Sequence, residues 1–347
     1  MQTRSFVAIA HLTMTVWLVE AASGAPTIQE PFFEVTSIAT GLGRSQSAEG
    51  PGSGGFGTDL YVARADLQRI DIVEIATGTA TPFSLFGSSL ISPGISHGPW
   101  WPTFDRVGGY GGLLLVDSDT ASSTDRIMEV DSGGIASELT SHSNPWDYDT
   151  LVFDPLGHFT GALFVTIGPT ETLDTVSSSG VESIFATSVP DDMSQIVFAS
   201  GDGFGTSMYL ANRSDGKIYA IDSGHVPGTP MPSTPFASGL DIPSGLAISP
   251  GGAFGTDVMY VATEGDGKVL KLSTTGTVLG EFATGLSGVT SIYFTSDQRL
   301  ILHEVISGDI WLVQPLSIPV LPMPAILLLA ITIIGVMWWM TPGQRHS

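Results

Sequence analysis

Two segments of the chain share an arrangement of residues suited to binding. His97-Gly-Pro-Trp100-Trp101 and His142-Ser-Asn-Pro-Trp146-Asp147-Tyr-Asp149 each place a histidine shortly before a Pro-Trp pair. Farther along, Asp191, Asp192 and Asp241 lie in short segments that also contain proline. Drawn together, Asp147, Asp149, Asp191, Asp192 and Asp241 would offer the oxygen ligands that a hard cation such as Ca²⁺ takes, with Asp147, Asp191, Asp192 and Asp241 as the metal set. His97, Trp100, Trp101, His142 and Trp146, with Asp147 and Asp149, would wall a pocket for an organic ligand. The same residue types have a plainer use, because Asp and Pro form turns and Trp packs between layers. The choice depends on whether the fold brings these segments to one place.

Composition removes several other chemistries. The 347 residues include no cysteine, which excludes disulfides, thiolate zinc sites and a Cys nucleophile. No Gly-x-Ser-x-Gly elbow, phosphate loop or His-Glu-x-x-His pair occurs. Lys and Arg number 12 against 34 Asp and Glu, a formal charge of −22. Nucleic acid is therefore not an expected partner, since phosphate binding needs a basic surface. Hydrophobic residues make up 42% of the chain, which is enough to build a core.

A repeat positions the candidate residues. Gly54-Gly-Phe-Gly-Thr-Asp-Leu-Tyr-Val-Ala63, Asp202-Gly-Phe-Gly-Thr-Ser-Met-Tyr-Leu-Ala211 and Gly252-Ala-Phe-Gly-Thr-Asp-Val-Met-Tyr-Val-Ala262 are near copies. Their Gly-Thr pairs start at 57, 205 and 255, so the intervals are about three periods and one period of roughly fifty residues. Weaker copies at Tyr110–Asp117, Phe159–Thr166 and Gln298–Val305 fill the remaining places, giving six. His97, His142, His158, His225 and His303 fall in different copies. One copy reads as four short strands: 245–249, 257–262, 268–272 and 278–283. Each is rich in β-branched or aromatic residues and bounded by Gly, Pro, Ser or Asp. Four strands per repeat with no helical period between them predict an all-β fold, a six-bladed β-propeller.

The last copy supplies only three strands, over 289–294, 299–303 and 309–313. The segment Phe32–Leu42 ends in Ala39-Thr-Gly-Leu42, matching the fourth-strand ending Ala283-Thr-Gly-Leu286. The N-terminal strand is therefore expected to complete the last blade, removing an open edge. In that architecture the candidate segments lead into the innermost strands and converge at one mouth of the channel. The Phe-Gly-Thr-Asp turns belong on the opposite face.

The termini read differently. Residues 1–25 run from Arg4 through an apolar stretch to Ala21-Ala-Ser-Gly-Ala25, the order of a secretory signal peptide. Residues 318–340 carry no charge and end in Trp338 and Trp339; at 1.5 Å per residue they can cross a core of ~30 Å. Arg345 then puts residues 341–347 on the cytoplasmic side and residues 30–315 outside.

The tail Ile318-Pro-Val-Leu-Pro-Met-Pro-Ala325, its apolar helix and basic tip resemble the PEP-CTERM class of bacterial sorting signals. That resemblance implies a cell-surface location and an exosortase as processing partner. It departs in having Pro-Met-Pro and a single Arg. Phe236-Ala-Ser-Gly-Leu-Asp-Ile-Pro-Ser-Gly-Leu-Ala-Ile-Ser249 and Gly265-Asp-Gly-Lys-Val-Leu-Lys-Leu272 resemble the NHL and gluconolactonase-type six-bladed propellers. Lactone-hydrolysing members hold a divalent metal in the channel through Glu, Asn and Asp at inner-strand starts. Ser244 stands where that Glu is expected, and no Asn-Gly-Leu phrase occurs. The Phe-Gly-Thr-Asp turns resemble FG-GAP repeats without their Asp-x-Asp-x-Asp-Gly calcium loop. Two functions follow as expectations. The first is an exported binding or structural module with a matrix polysaccharide or protein as partner. The second is a metal-dependent, lactonase-like hydrolase using Asp147, Asp191 and Asp241.

Overall fold

A computed structural model of the chain describes residues 24–86, 99–119, 125–142, 148–167, 170–201, 203–305 and 307–316. Six sheets, antiparallel but for the short strand Thr229–Pro230 added parallel to Glu182–Thr187, are arranged as a six-bladed β-propeller. Blade 1 comprises Ser45–Glu49, Leu60–Arg64, Arg69–Val73 and Ala80–Leu85, from channel to rim. The innermost strands of blades 2 to 6 are Pro99–Phe104, Tyr148–Phe153, Met193–Phe198, Pro243–Ile248 and Val289–Phe294. The repeat noted in the sequence is the second strand of each blade, as in Met208–Asn212, Met259–Thr263 and Leu300–Glu304. These strands are buried on both faces, which explains why they read as unbroken apolar runs. Here the upper face is where innermost strands begin, and the lower face carries the turns between first and second strands.

The ring closes as the sequence predicts. Phe33–Ala39 pairs antiparallel with Asp309–Pro315, placing Val35 opposite Val313 and Ser37 opposite Trp311. The outermost strand of blade 6 thus comes from the start of the chain and the other three from its end. A two-residue strand, Thr27–Ile28, also caps the rim strand of blade 5, Val278–Thr284. The proposed leader 1–25 (apart from residues 24 and 25) and the segments 318–340 and 341–347 lie outside the described residues. Among the described residues no helix is long and apolar enough to cross a membrane.

The Phe-Gly-Thr turns explain how blades adhere. The aromatic of each turn is buried and reaches the end of the next blade's innermost strand. Phe56 meets Phe104 at 5.0 Å, Tyr110 meets Phe153 at 4.9 Å and Phe159 meets Phe198 at 5.7 Å. Phe254 meets Phe294 at 4.9 Å, and Phe204 shares a core cluster with Ile248. Most of these contacts are edge-on, the favoured arrangement of aromatic rings. The tyrosine of the following strand ties the turn down: the Tyr209 and Tyr260 hydroxyls donate to the carbonyls of Phe204 and Phe254 at 2.9 and 2.8 Å. In blades 2 and 3 a buried carboxylate does this instead. Asp154 accepts from the amides of Leu156, Gly157, Phe159 and Gly161, and Asp105 has four equivalent amide partners. On the upper face, Asp266-Gly267 closes a hairpin with Gly267 at φ 65; a Cβ there would lie 2.2 Å from the Leu286 carbonyl oxygen.

Two outcomes are expected. Deleting residues 30–40 will abolish the single cooperative transition in calorimetry, and a truncated protein that melts like the full chain would refute the closure. Phe254→Ala will lower unfolding free energy by about 3–5 kcal/mol in denaturant titration, the range for emptying a buried aromatic site.

Candidate functional site in the channel

One contact between blades lacks the aromatic. In the last blade the turn after the innermost strand is the short Thr295-Ser-Asp-Gln-Arg299, and the neighbouring innermost strand of blade 1 ends in Glu49. The amide and hydroxyl of Ser296 donate to the two Glu49 carboxylate oxygens at 2.8 and 2.9 Å. The Arg106 guanidinium donates to the Glu49 carbonyl at 2.8 Å and lies 3.8 Å from its carboxylate. A polar seam thus replaces the ring contact used elsewhere.

The seam continues up the channel. His303, on the second strand of blade 6, is fully buried between two serines of blade 1. Its Nε2 lies 3.1 Å from Ser45 Oγ and its Nδ1 lies 2.9 Å from Ser47 Oγ. Ser45 gives its proton to the Gly43 carbonyl, so Nε2 carries the hydrogen and Nδ1 accepts from Ser47. Ser47 then accepts from the Tyr293 hydroxyl at 3.0 Å. Burial pushes the His303 imidazole down to about 3, so the ring is neutral, as this alternation of donors requires. Burial also pushes the Tyr293 hydroxyl well above its ordinary value.

Beside this relay lies a cavity of about 330 Å³ in the lower half of the channel. Glu49, Trp101, Arg106, Gln195, Tyr293 and Ser296 are among its walls, with Gln46, Ser47, Thr103, Thr150 and Ser291 adding neutral polar groups. Gln195 braces it by donating to the Ile292 carbonyl at 3.1 Å and accepting from the Leu246 amide at 3.0 Å.

The residues singled out from sequence are placed as follows. His97, Trp146 and Asp147 lie outside the described residues, as do the side chains of His142 and Asp149. Trp101 lines the cavity, and Trp100 stacks under the Arg44 guanidinium at 5.0 Å. Asp191 is exposed, and Asp192 is 3.7 Å from Arg213, which also holds Glu264 at 2.6 Å. Burial raises Asp192, with Arg213 opposing. The Asp241 carboxylate rests against Gly265, next to Glu264; a Cβ on Gly265 would lie 2.4 Å from its Oδ1. Arg213 thus bridges Asp192 and Glu264 at the upper face, and Asp241 lies against the following residue, Gly265. Among the described residues no three His, Asp or Glu side chains converge as a metal requires.

The upper ends of the innermost strands carry a further pattern. Register slips leave Asp149, Ser194, Ser244 and Thr290 as extra residues near the start of blades 3 to 6. Ser194 donates to the Ser244 carbonyl and Ser244 to the Val289 carbonyl, both at 2.8 Å, so each hydroxyl links one innermost strand to the next. Sequence reasoning did not find the seam. The signal available was the polar alternation Ser45, Ser47, Glu49 in a position where an innermost strand was needed.

No protein-family model matches the sequence, and no curated protein matches it. Solved structures do resemble it in fold. Aldose sugar dehydrogenase from Escherichia coli, in its apo form, is 12% identical with a TM-score of 0.60, over 82% of this chain and 99% of that one. A gluconolactonase from Xanthomonas campestris is 14% identical with a TM-score of 0.59, over 84% and 95%. The PQQ-bound aldose sugar dehydrogenase from Streptomyces coelicolor is 15% identical with a TM-score of 0.58, over 84% and 100%. The class these likenesses define is the six-bladed propeller.

PQQ, bound in the last of these, and the divalent metal that the gluconolactonase resemblance implies can be tested against the residues present. PQQ carries several carboxylates, and the cavity offers Arg106 as its cation, already bound to Glu49. Ser244, standing where lactonases have a metal-binding Glu, is fully buried and committed to a backbone carbonyl. The cavity lining therefore does not fit PQQ, and Ser244 does not fit the metal.

Because the folded state holds His303 neutral, protonation opposes folding. Its contribution is complete above about pH 6.5 and is lost as pH falls from there toward 3, at up to ~1.4 kcal/mol per pH unit. Denaturant titrations from pH 7 to 4 should show this slope, and His303→Gln should flatten it. Carbon-13 NMR of the ring should show no titration of folded His303 above pH 4.

Proposed function

We propose that the chain is an exported propeller, held at the cell surface by its C-terminal segment, whose channel binds a neutral, hydroxyl-rich small molecule. The observation that carries this reading is the cavity wall. Its donors and acceptors are chiefly amides and hydroxyls, beside the indole of Trp101. Among the described residues its one carboxylate, Glu49, accepts from Ser296, and its one cation, Arg106, donates to the Glu49 carbonyl and lies 3.8 Å from that carboxylate. Such a lining matches a polyol or sugar, in which hydroxyls alternate with apolar ring faces. The volume lies at the small end of the ~300–1,000 Å³ range for ligand pockets. Two of the similar structures are sugar dehydrogenases by name and one a gluconolactonase, which supports a saccharide-like ligand. The leader and tail read from the sequence support export and anchorage, with exosortase processing and a matrix polysaccharide or protein as surroundings. In this reading the protein binds and does not transform its ligand.

A second reading is a metal-dependent, lactonase-like hydrolase with Asp147, Asp191 and Asp241 at the upper mouth. The likeness to gluconolactonase favours it.

Calorimetric titration with a panel of monosaccharides and aldonolactones separates the two. The binding reading expects saturable heat for at least one, weakened tenfold or more by Trp101→Ala, with the lactone recovered intact. Hydrolysis that appears only with added Ca²⁺, Mn²⁺ or Zn²⁺, with a rise in melting temperature on adding the ion, would replace it by the hydrolase. No heat from any compound at millimolar concentration would reject saccharide binding.

A further inference from the structure

The two faces of the propeller differ in what they leave exposed. Among the described residues the large exposed apolar side chains at the upper face are Leu67, Leu85 and Ile242. That face also carries Arg44, Arg64, Arg69, Arg213, Lys217 and Lys268, all at the upper ends of strands or in the loops beyond them. At the lower face Val107 and Leu156 project from first-to-second-strand turns, and Ile135 and Val181 from third-to-fourth-strand turns; Ile135 is 70% exposed and Val181 60%. Phe32, 67% exposed, and Leu316, 44% exposed, join this set.

Phe32 and Leu316 lie side by side, since the Leu316 amide donates to the Phe32 carbonyl at 2.8 Å. They stand at the lower end of blade 6, where the described chain ends. The uncharged stretch beginning at Ile318 follows at once. Two residue steps span at most ~7 Å, so a membrane segment starting there would hold this face, and no other, against the lipid.

We propose that the lower face of the propeller docks on the surface of a lipid bilayer, with Phe32, Val107, Ile135, Leu156, Val181 and Leu316 entering the interfacial layer. The inference rests on the reading of residues 318–340 as a membrane span. Contact is by apolar insertion and not by charge. The cations toward this face, Arg106, Lys271 and Arg299, are each paired with a carboxylate: Glu49, Glu30 and Asp297. Isolated exposed apolar residues are ordinary on proteins, but their bias to one face among the described residues, beside a tether, is what an interfacial surface presents. In this orientation the end of the channel flanked by Arg106, Pro155 and Ser296 faces the headgroup layer.

The absence of cysteine makes the test clean. Full-length protein carrying Ile135→Cys, Val181→Cys, Leu67→Cys or Ile242→Cys, each labelled with an environment-sensitive fluorophore, is reconstituted into phosphatidylcholine vesicles containing doxyl-labelled lipid. The labels at 135 and 181 should shift to the blue and lose at least half their emission to the doxyl quencher, while those at 67 and 242 stay unchanged. Adding phosphatidylglycerol should not strengthen the effect. If the protein sediments with vesicles but all four labels behave alike, the docking face is wrong and the span stands. If it does not associate with vesicles, the span and the docking both fall. A blue shift without doxyl quenching would identify a second copy of the chain as the occupant and overturn the proposal.

Discussion

The arrangement of this molecule depends on how one blade grips the next. Five of the six junctions use the same device, an aromatic residue in the turn after the innermost strand, seated on the end of the neighbouring blade's innermost strand. Most of these contacts bury rings edge-on, and a tyrosine hydroxyl or a caged aspartate fixes the turn that delivers them. At the sixth junction the chain's two ends meet, and the device is absent. Glu49, Ser296, His303 and Tyr293 fill the gap with hydrogen bonds. The polar character of the channel follows from that substitution, because a wedge like Phe254 would have made this corner apolar.

That polar corner also explains why its parts are so fully satisfied. A neutral imidazole between two hydroxyls has one donor and one acceptor, each matched, and a carboxylate with two donors and a nearby guanidinium is stable where an isolated one would not be. The groups facing the cavity are thus held in fixed orientations before any ligand arrives, which lowers the ordering cost of binding.

The fold was legible in the sequence to the level of individual strands. Lys268–Leu272 and Val289–Phe294 appear where the pattern puts them, because a buried strand needs a run of β-branched and aromatic residues and the turns need Gly and Asp. The closing partnership of Phe33–Ala39 with Asp309–Pro315 was readable from a missing fourth strand and a repeated Ala-Thr-Gly-Leu ending. Ser45–Glu49 was not readable as a strand, since all but Ala48 are polar, and the side-chain partners that let it be buried, His303 and Ser296, lie some 250 residues away in sequence. The site was less legible for a related reason. Whether an innermost-strand residue faces the channel depends on the register slips at Asp149, Ser194, Ser244 and Thr290, and pattern alone does not show a slip. The carboxylates read from the turns illustrate the limit: Asp192 is drawn to Arg213, which it shares with Glu264, a neighbour that turn chemistry gives no means to foresee.

The sharing of blade 6 between both ends of the chain has a bearing on biosynthesis. Residues 33–39 emerge early, yet their partner strand is made about 270 residues later, so at ~5–20 residues per second they wait on the order of tens of seconds. Until then the first blade presents its Ser45–Glu49 flank, with its unmatched serines and glutamate, to water. A chain that stops short of residue 296 lacks the partners, Ser296 and His303, that cover that flank, so the seam forms only when the last blade has been made.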